Sequence, residues 1–243
     1  MPDSMPDKPP LLLLPGLLCD EAFWRSQVEA LADVCAPRVM AYGLLDDFGA
    51  MAEAVLAQAP PRFALAGHSM GGRVALEVMR QAPERVLKLA LLATDYRGHA
   101  DAAALAAEEG RREMMLERVR SQGMEAFARM WTTQILPAER LTDQALVDEV
   151  VEMMVRQPAG ALAAQTHAAL MRADNAELLA AIACPTLLVA GRLDALRPVE
   201  VHEQMAARLP RGRLVVIEDA AHMVAMERPE AVTAALRAWL LEP

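Results

Sequence analysis

Apolar positions along the chain follow two rhythms. Short unbroken runs at 11–14 (LLLL), 63–66 (FALA), 87–93 (LKLALLA) and 186–191 (TLLVAG) have the pattern of strands buried on both faces, and 38–42 and 213–218 (RLVVIE) bring the set to six. Between these runs, over 22–34, 46–59, 70–81, 198–209 and 229–241, apolar residues recur at helical spacing. Asp20 stands where it can cap the first helix, and the second begins on two acids. Pro198 and Pro229 open the last two, which suits a first helical turn. Strands alternating with helices predict an α/β fold, a doubly wound, mostly parallel sheet of about six strands flanked by helices.

The alternation stops between residues 97 and 177. Alanine, methionine, arginine and glutamate at helical spacing replace the strand runs, and Pro137, Pro158 and Gly160 divide the stretch into about four helices. The expected organisation is therefore a disordered tail over 1–10, which holds four prolines, a core made of 11–96 and 178–243, and a helical insert over 97–177. A chain of 243 residues suits one such domain and can bury its core without disulfides or metals.

Composition narrows the partners. The net charge of −9, with no concentration of basic residues, excludes nucleic acid. The three cysteines are odd in number and lack a CxxC pair, which suits a reducing compartment. The run LLLLPGLLC superficially looks like an export signal. However, Asp3 and Asp7 spoil the positive segment such a signal needs, Pro15-Gly16 interrupts the run, and a leucine rather than a small residue precedes Cys19. No other run is long enough to span a bilayer. A cytoplasmic protein with no membrane partner is expected.

The candidate chemistry lies just after the strands, where open parallel sheets bind their ligands. Behind 63–66 stands Gly67-His68-Ser69-Met70-Gly71, a G-x-S-x-G elbow. A serine there takes a sparsely populated backbone conformation, and the residues two before and two after must be nearly side-chain-free. His222 follows the last strand, in position to act as the base. Three acids compete to orient it: Asp194 after the fifth strand, Asp95 after the fourth and Asp219 three residues before His222. Asp194 is assigned, since it follows the fifth strand and needs a role there, whereas Asp219 is read as organising its own loop. An oxyanion site needs two backbone N–H groups, and Leu17 and Met70 are the choices. His68 is assigned to bracing its loop. His99, His167 and His202 show no metal-ligand spacing, so neither metal nor cofactor is expected.

The stretches LLLLPGLL, GHSMGG, GRLDALRP and HMVAMERPEAV, in this order, resemble the α/β-hydrolase superfamily across residues 11–241. The likeness is to its small capped esterases and lactonases, such as 3-oxoadipate enol-lactonases and carboxylesterases. It implies Ser-His-Asp chemistry with 97–177 as a cap over Ser69. Ser69, where related dehalogenases and epoxide hydrolases have aspartate, implies an acyl-enzyme and hence an ester, lactone or thioester substrate. Two departures stand out. Pro15 occupies the place of the usual histidine in the oxyanion loop. Ten proline-rich residues before Leu11 cannot form the family's opening hairpin, so that hairpin is expected to be missing. Phe127, Met130 and Trp131, with Leu18 and Met223, are the expected substrate-binding residues, against the competing reading of cap core. Tyr96, Arg97 and Arg129 are candidates to hold a substrate carboxylate, against ordinary surface arginine. The reading is a cofactor-independent esterase for a small-to-medium apolar acyl group. A lactonase or acyl thioesterase is the alternative, and a ligand-binding protein on the same fold the non-enzyme one.

Overall fold

A computed structural model describes residues 8–242. Within them, β1 (Pro10–Leu14), β2 (Ala36–Val39), β3 (Phe63–His68), β4 (Val86–Leu92), β5 (Thr186–Gly191) and β6 (Gly212–Ile217) form one sheet in the order β2-β1-β3-β4-β5-β6. Every neighbouring pair is parallel. Residues 1–7 of the expected tail lie outside the described residues. The remainder of that tail is corrected: Pro9 O accepts from Ala36 N at 3.0 Å and Pro10 already opens β1.

Side-chain alternation explains why these runs are apolar throughout. Leu11 and Leu13 pack into one core with Phe23, Trp24 and Trp239, while Leu12 and Leu14 enter a second with Met51, Val55 and Val74. The same split recurs in β3, where Ala64 and Ala66 face the first core and Phe63 and Leu65 the second. Helices α1 (Glu21–Leu31), α9 (Val224–Glu227) and α10 (Pro229–Leu241) cover the first face. The second is covered by α2 (Phe48–Gln58), α3 (Met70–Gln81) and α8 (Val199–Ala206). Asp20 caps α1 by accepting from Ala22 N at 2.9 Å, and Asp47 caps α2 in the same way from Ala50 N. Pro229 stands in the first turn of α10 as expected, whereas Pro198 is the residue before α8.

Between β4 and β5 run α4 (Ala102–Ile135), α5 (Gln144–Val155), α6 (Ala161–Leu170) and α7 (Ala176–Ala181), so the last helix straddles residue 177. Gly123, at φ +86° and ψ 164°, breaks α4, a conformation open to glycine that helical spacing does not reveal. Among the described residues no helix is long and apolar enough to cross a membrane. The strand order reverses between β1 and β3, so the crevice for a ligand opens where Pro15–Cys19 and Ser69 follow those strands.

Candidate active site

Ser69 joins β3 directly to α3 at φ 51° and ψ −113°. Such a backbone costs about 1–3 kcal/mol and persists only where its surroundings enforce it. Here Ser69 N donates to Leu92 O at 2.9 Å, and Ser69 O accepts from Thr94 Oγ1 at 2.6 Å. Gly67 and Gly71 are required because the turn is so closed. A Cβ on Gly67 would lie 2.4 Å from Gly71 O, and one on Gly71 would lie 2.2 Å from Leu14 O.

His222 Nε2 lies 2.9 Å from Ser69 Oγ, and His222 Nδ1 lies 2.8 Å from Asp194 Oδ2. With Nδ1–H given to the carboxylate, Nε2 keeps the lone pair that accepts from the serine hydroxyl. Burial works to raise the Asp194 pKa. The neighbouring His222 and the Leu196 and Arg197 N–H groups, which donate to Oδ1 at 2.8 and 2.9 Å, outweigh it and hold the carboxyl below its ordinary value. Of the competing acids, Asp95 is engaged by Arg97 through both oxygens, and Asp219 is exposed with no bond to His222.

The histidine loop is held from three sides. Ala221 N donates to the buried Glu227 carboxylate, His222 N donates to Ile135 O of α4 at 3.2 Å, and His68 Nε2–H donates to His222 O at 2.9 Å. His68 is stacked on Phe23 with centroids 3.9 Å apart, and burial first, then His222, push its pKa down to about 3, so its ring is neutral. It therefore braces the His222 backbone as well as its own loop. Gly191 was not singled out by sequence, yet a Cβ there would stand 2.2 Å from Ala221 O.

The loop after β1 closes the other side. A Cβ on Gly16 would come within 2.7 Å of His68 Nδ1 and 3.3 Å of Ser69 Cβ, so this backbone lies against the serine. Pro15, in place of the usual histidine, is anchored through its carbonyl by Tyr42 OH at 3.2 Å. Leu18 sits at φ 54°, its N–H donated to Gln165 Oε1 of α6 at 2.8 Å. Leu17 N–H has no acceptor among the described residues. Met70 N–H opens α3, where helical N–H groups lack intrahelical partners.

A cavity of about 710 Å³ rises from Ser69 and His222 between the sheet edge and the inserted helices. Leu17 and Met70 lie on its lining, and of the expected substrate-binding residues so do Met130, Trp131 and Met223. Leu18 and Phe127 do not: both are fully buried in the core, Phe127 stacked on Trp131 with centroids 6.1 Å apart. The carboxylate-binding candidates also fall elsewhere. Tyr96 is buried in the second core, Arg97 is paired with Asp95, and Arg129 is exposed and paired with Glu125. Arginines that sequence reading passed over stand on the wall instead, among them Arg73, one turn along α3 from Ser69, and Arg197, inside the GRLDALRP stretch. A cation in the apolar face of α3 was the available signal.

The profile of the alpha/beta hydrolase family matches residues 11–235. A pimeloyl-acyl-carrier-protein methyl ester esterase of Nitrosomonas europaea is 27% identical, with 91% of this chain and 92% of its own length covered. The enzyme of the same name from Pectobacterium carotovorum is 31% identical, covering 92% and 91%. Among solved structures, a thermophilic esterase from Thermogutta terrifontis with malate bound superimposes with a TM-score of 0.85 at 31% identity, over 96% of this chain and 90% of that one.

Proposed function

The chain belongs to the alpha/beta hydrolase family, and from that premise we propose that it cleaves a carboxylic ester of a small-to-medium, largely apolar acyl substrate through an acyl-enzyme on Ser69. The observation that carries this reading is the continuous hydrogen-bonded line Ser69–His222–Asp194, at 2.9 and 2.8 Å, opening onto a cavity with Met130, Trp131 and Met223 on its wall.

Ser69 Oγ attacks the ester carbonyl as its proton passes to His222 Nε2, and Asp194 stabilises the imidazolium that forms. Negative charge on the carbonyl oxygen is met by Leu17 and Met70 N–H, aided by the positive end of α3. The carbon–oxygen bond to the alcohol then breaks, and His222 gives the departing oxygen its proton. Water, deprotonated by the same nitrogen, attacks the acyl-serine and releases the acid and the free hydroxyl. The insert over 97–177 acts as the cap that selects the acyl group. Free Cys19, Cys35 and Cys184 support a cytoplasmic location.

A fluorophosphonate probe tests the reading. The folded protein should be labelled stoichiometrically at Ser69 and Ser69→Ala not at all; absence of labelling on the intact protein refutes it in favour of a ligand-binding protein. The activity in the names of the two relatives favours a methyl ester as the bond cleaved. One preparation assayed on methyl esters, lactones and acyl thioesters separates these classes.

A further inference from the structure

Charge is concentrated in the lining of the cavity. Arg73, Arg111, Arg112, Arg118, Arg172 and Arg197 line it against only Asp95 and Glu108, an excess of four positive charges in a chain of net charge −9. The two carboxylates are already divided. Glu108 accepts from Arg112 at 3.0 Å and from Arg172 at 2.8 Å. Asp95 binds Arg97 at 2.8 Å and lies 3.8 Å from Arg73. Arg118 and Arg197 have no carboxylate within 4.0 Å among the described residues. Arg197 spends one donor on Leu196 O at 2.7 Å, and Arg73 is 5% exposed.

Packing guanidinium groups together out of water is costly unless an anion joins them. Burial pushes Arg73 down to about 9 against the attraction of Asp95, and it lowers Arg197 against that of Asp95 and Asp194, with Arg112 and Arg172 adding repulsion. Arginine is the side chain suited to planar, bidentate recognition of a carboxylate. Arg73 stands four residues beyond Ser69, roughly 6 Å along the α3 axis, and Arg197 three residues beyond Asp194, so the positive charge is carried by the segments that carry Ser69 and Asp194.

We propose that the arginine wall is a subsite for a second, unesterified carboxylate of the substrate, so that the preferred substrates are monoesters of short dicarboxylic acids. The apolar wall holds the methylene spacer, Arg197 and Arg118 take the free carboxylate, and Arg73, Arg112 and Arg172 supply the surrounding field. This inference rests on the ester-hydrolase reading for turnover but not for binding.

Ser69→Ala protein, which cannot consume the ligand, is titrated calorimetrically with monomethyl glutarate and with neutral dimethyl glutarate. The monoester should bind at least about tenfold more tightly, the contribution of one charge-assisted bond, and the advantage should shrink in high salt. With active protein, the kcat/KM ratio of monoester to diester should show the same preference and fall by about tenfold in Arg197→Gln and, separately, in Arg118→Gln. Equal affinity for the two esters, a ratio untouched in both variants, or competition by inorganic phosphate as strong as by glutarate overturns the proposal. If the fluorophosphonate fails to label Ser69 while Ser69→Ala still prefers the monoester, the hydrolase reading falls and the subsite stands. Labelling without any preference removes the subsite alone.

Discussion

The loops after β4 and β5 start alike and end in different chemistry. Each places a buried aspartate just past its strand, and each aspartate accepts the backbone N–H two residues on through Oδ1: Arg97 N at 2.9 Å for Asp95, Leu196 N at 2.8 Å for Asp194. Both carboxyls are held below their ordinary value against the pull of burial, Asp95 at about 2. The second oxygen separates them. In the β5 loop it meets His222 Nδ1 at 2.8 Å; in the β4 loop it meets the Arg97 guanidinium at the same distance. Position after a strand thus makes a buried acid available, and the partner delivered to its free oxygen decides what it does. A histidine can gain and lose a proton during turnover, whereas an arginine keeps its charge.

Exchanging each acid for its amide should make activity and stability diverge. Asp194→Asn removes the group that fixes the His222 tautomer and is expected to lower kcat by about 10⁴, the scale of the same change in the serine-protease example. Asp95→Asn should cost less than about tenfold on a neutral ester, and the reverse order would move the orienting acid to the β4 loop. Stability should rank the other way. Asp95 is the carboxylate beside buried Arg73, which cannot readily shed its charge, so its loss should cost roughly 3 kcal/mol. Asp194→Asn leaves an imidazole that can stay neutral and should cost about 1 kcal/mol. Urea unfolding of both variants at neutral pH measures the pair.

The same contrast marks what the sequence could reveal. Ser69, Asp194 and His222 each follow an apolar run, so locating the strands located the residues, and helix bounds such as 70–81 and 229–241 coincide with the structure because the glycine-serine elbow and Pro229 are local signals. What escaped notice depends on approaches across the fold. Gln165, on α6, reaches back 147 residues to the Leu18 N–H, and Gly191 matters only because the His222 loop passes over it. Phe127 and Met130 share a helical face pattern, yet one is sealed in the core and the other lines the cavity. Helical spacing shows that a face is apolar, not whether a neighbouring helix or an open space covers it. The arginine wall escaped for the same reason: its members come from α3, α4 and the segments flanking α7 and α8, and only folding gathers them.

A third acid, Glu227, extends the comparison to the loop after β6 with the opposite sign. Its carboxylate accepts Ala221 N beside His222, but with no cation bonded to it among the described residues, burial prevails over those bonds and the nearby Arg140 and Arg228 and lifts its pKa from 4.5 to about 7. Between those two values the folded protein binds the proton that the unfolded chain has released. The stability associated with Glu227 is therefore fully present below about pH 4.5 and declines until about pH 7. At 1.36 kcal/mol per unit the ceiling is about 3 kcal/mol. Glu227→Gln removes the ionisation and keeps an oxygen for Ala221 N, at the expense of a charge-assisted bond, so a net gain of about 1–2 kcal/mol is expected at pH 8. At pH 4.5 the variant and the parent should unfold together. Thermal melts at the two pH values decide it. A variant less stable than the parent at pH 8 would mean that the carboxylate form holds the His222 loop, and would place Glu227 with Asp95 and Asp194 among the acids the fold keeps charged.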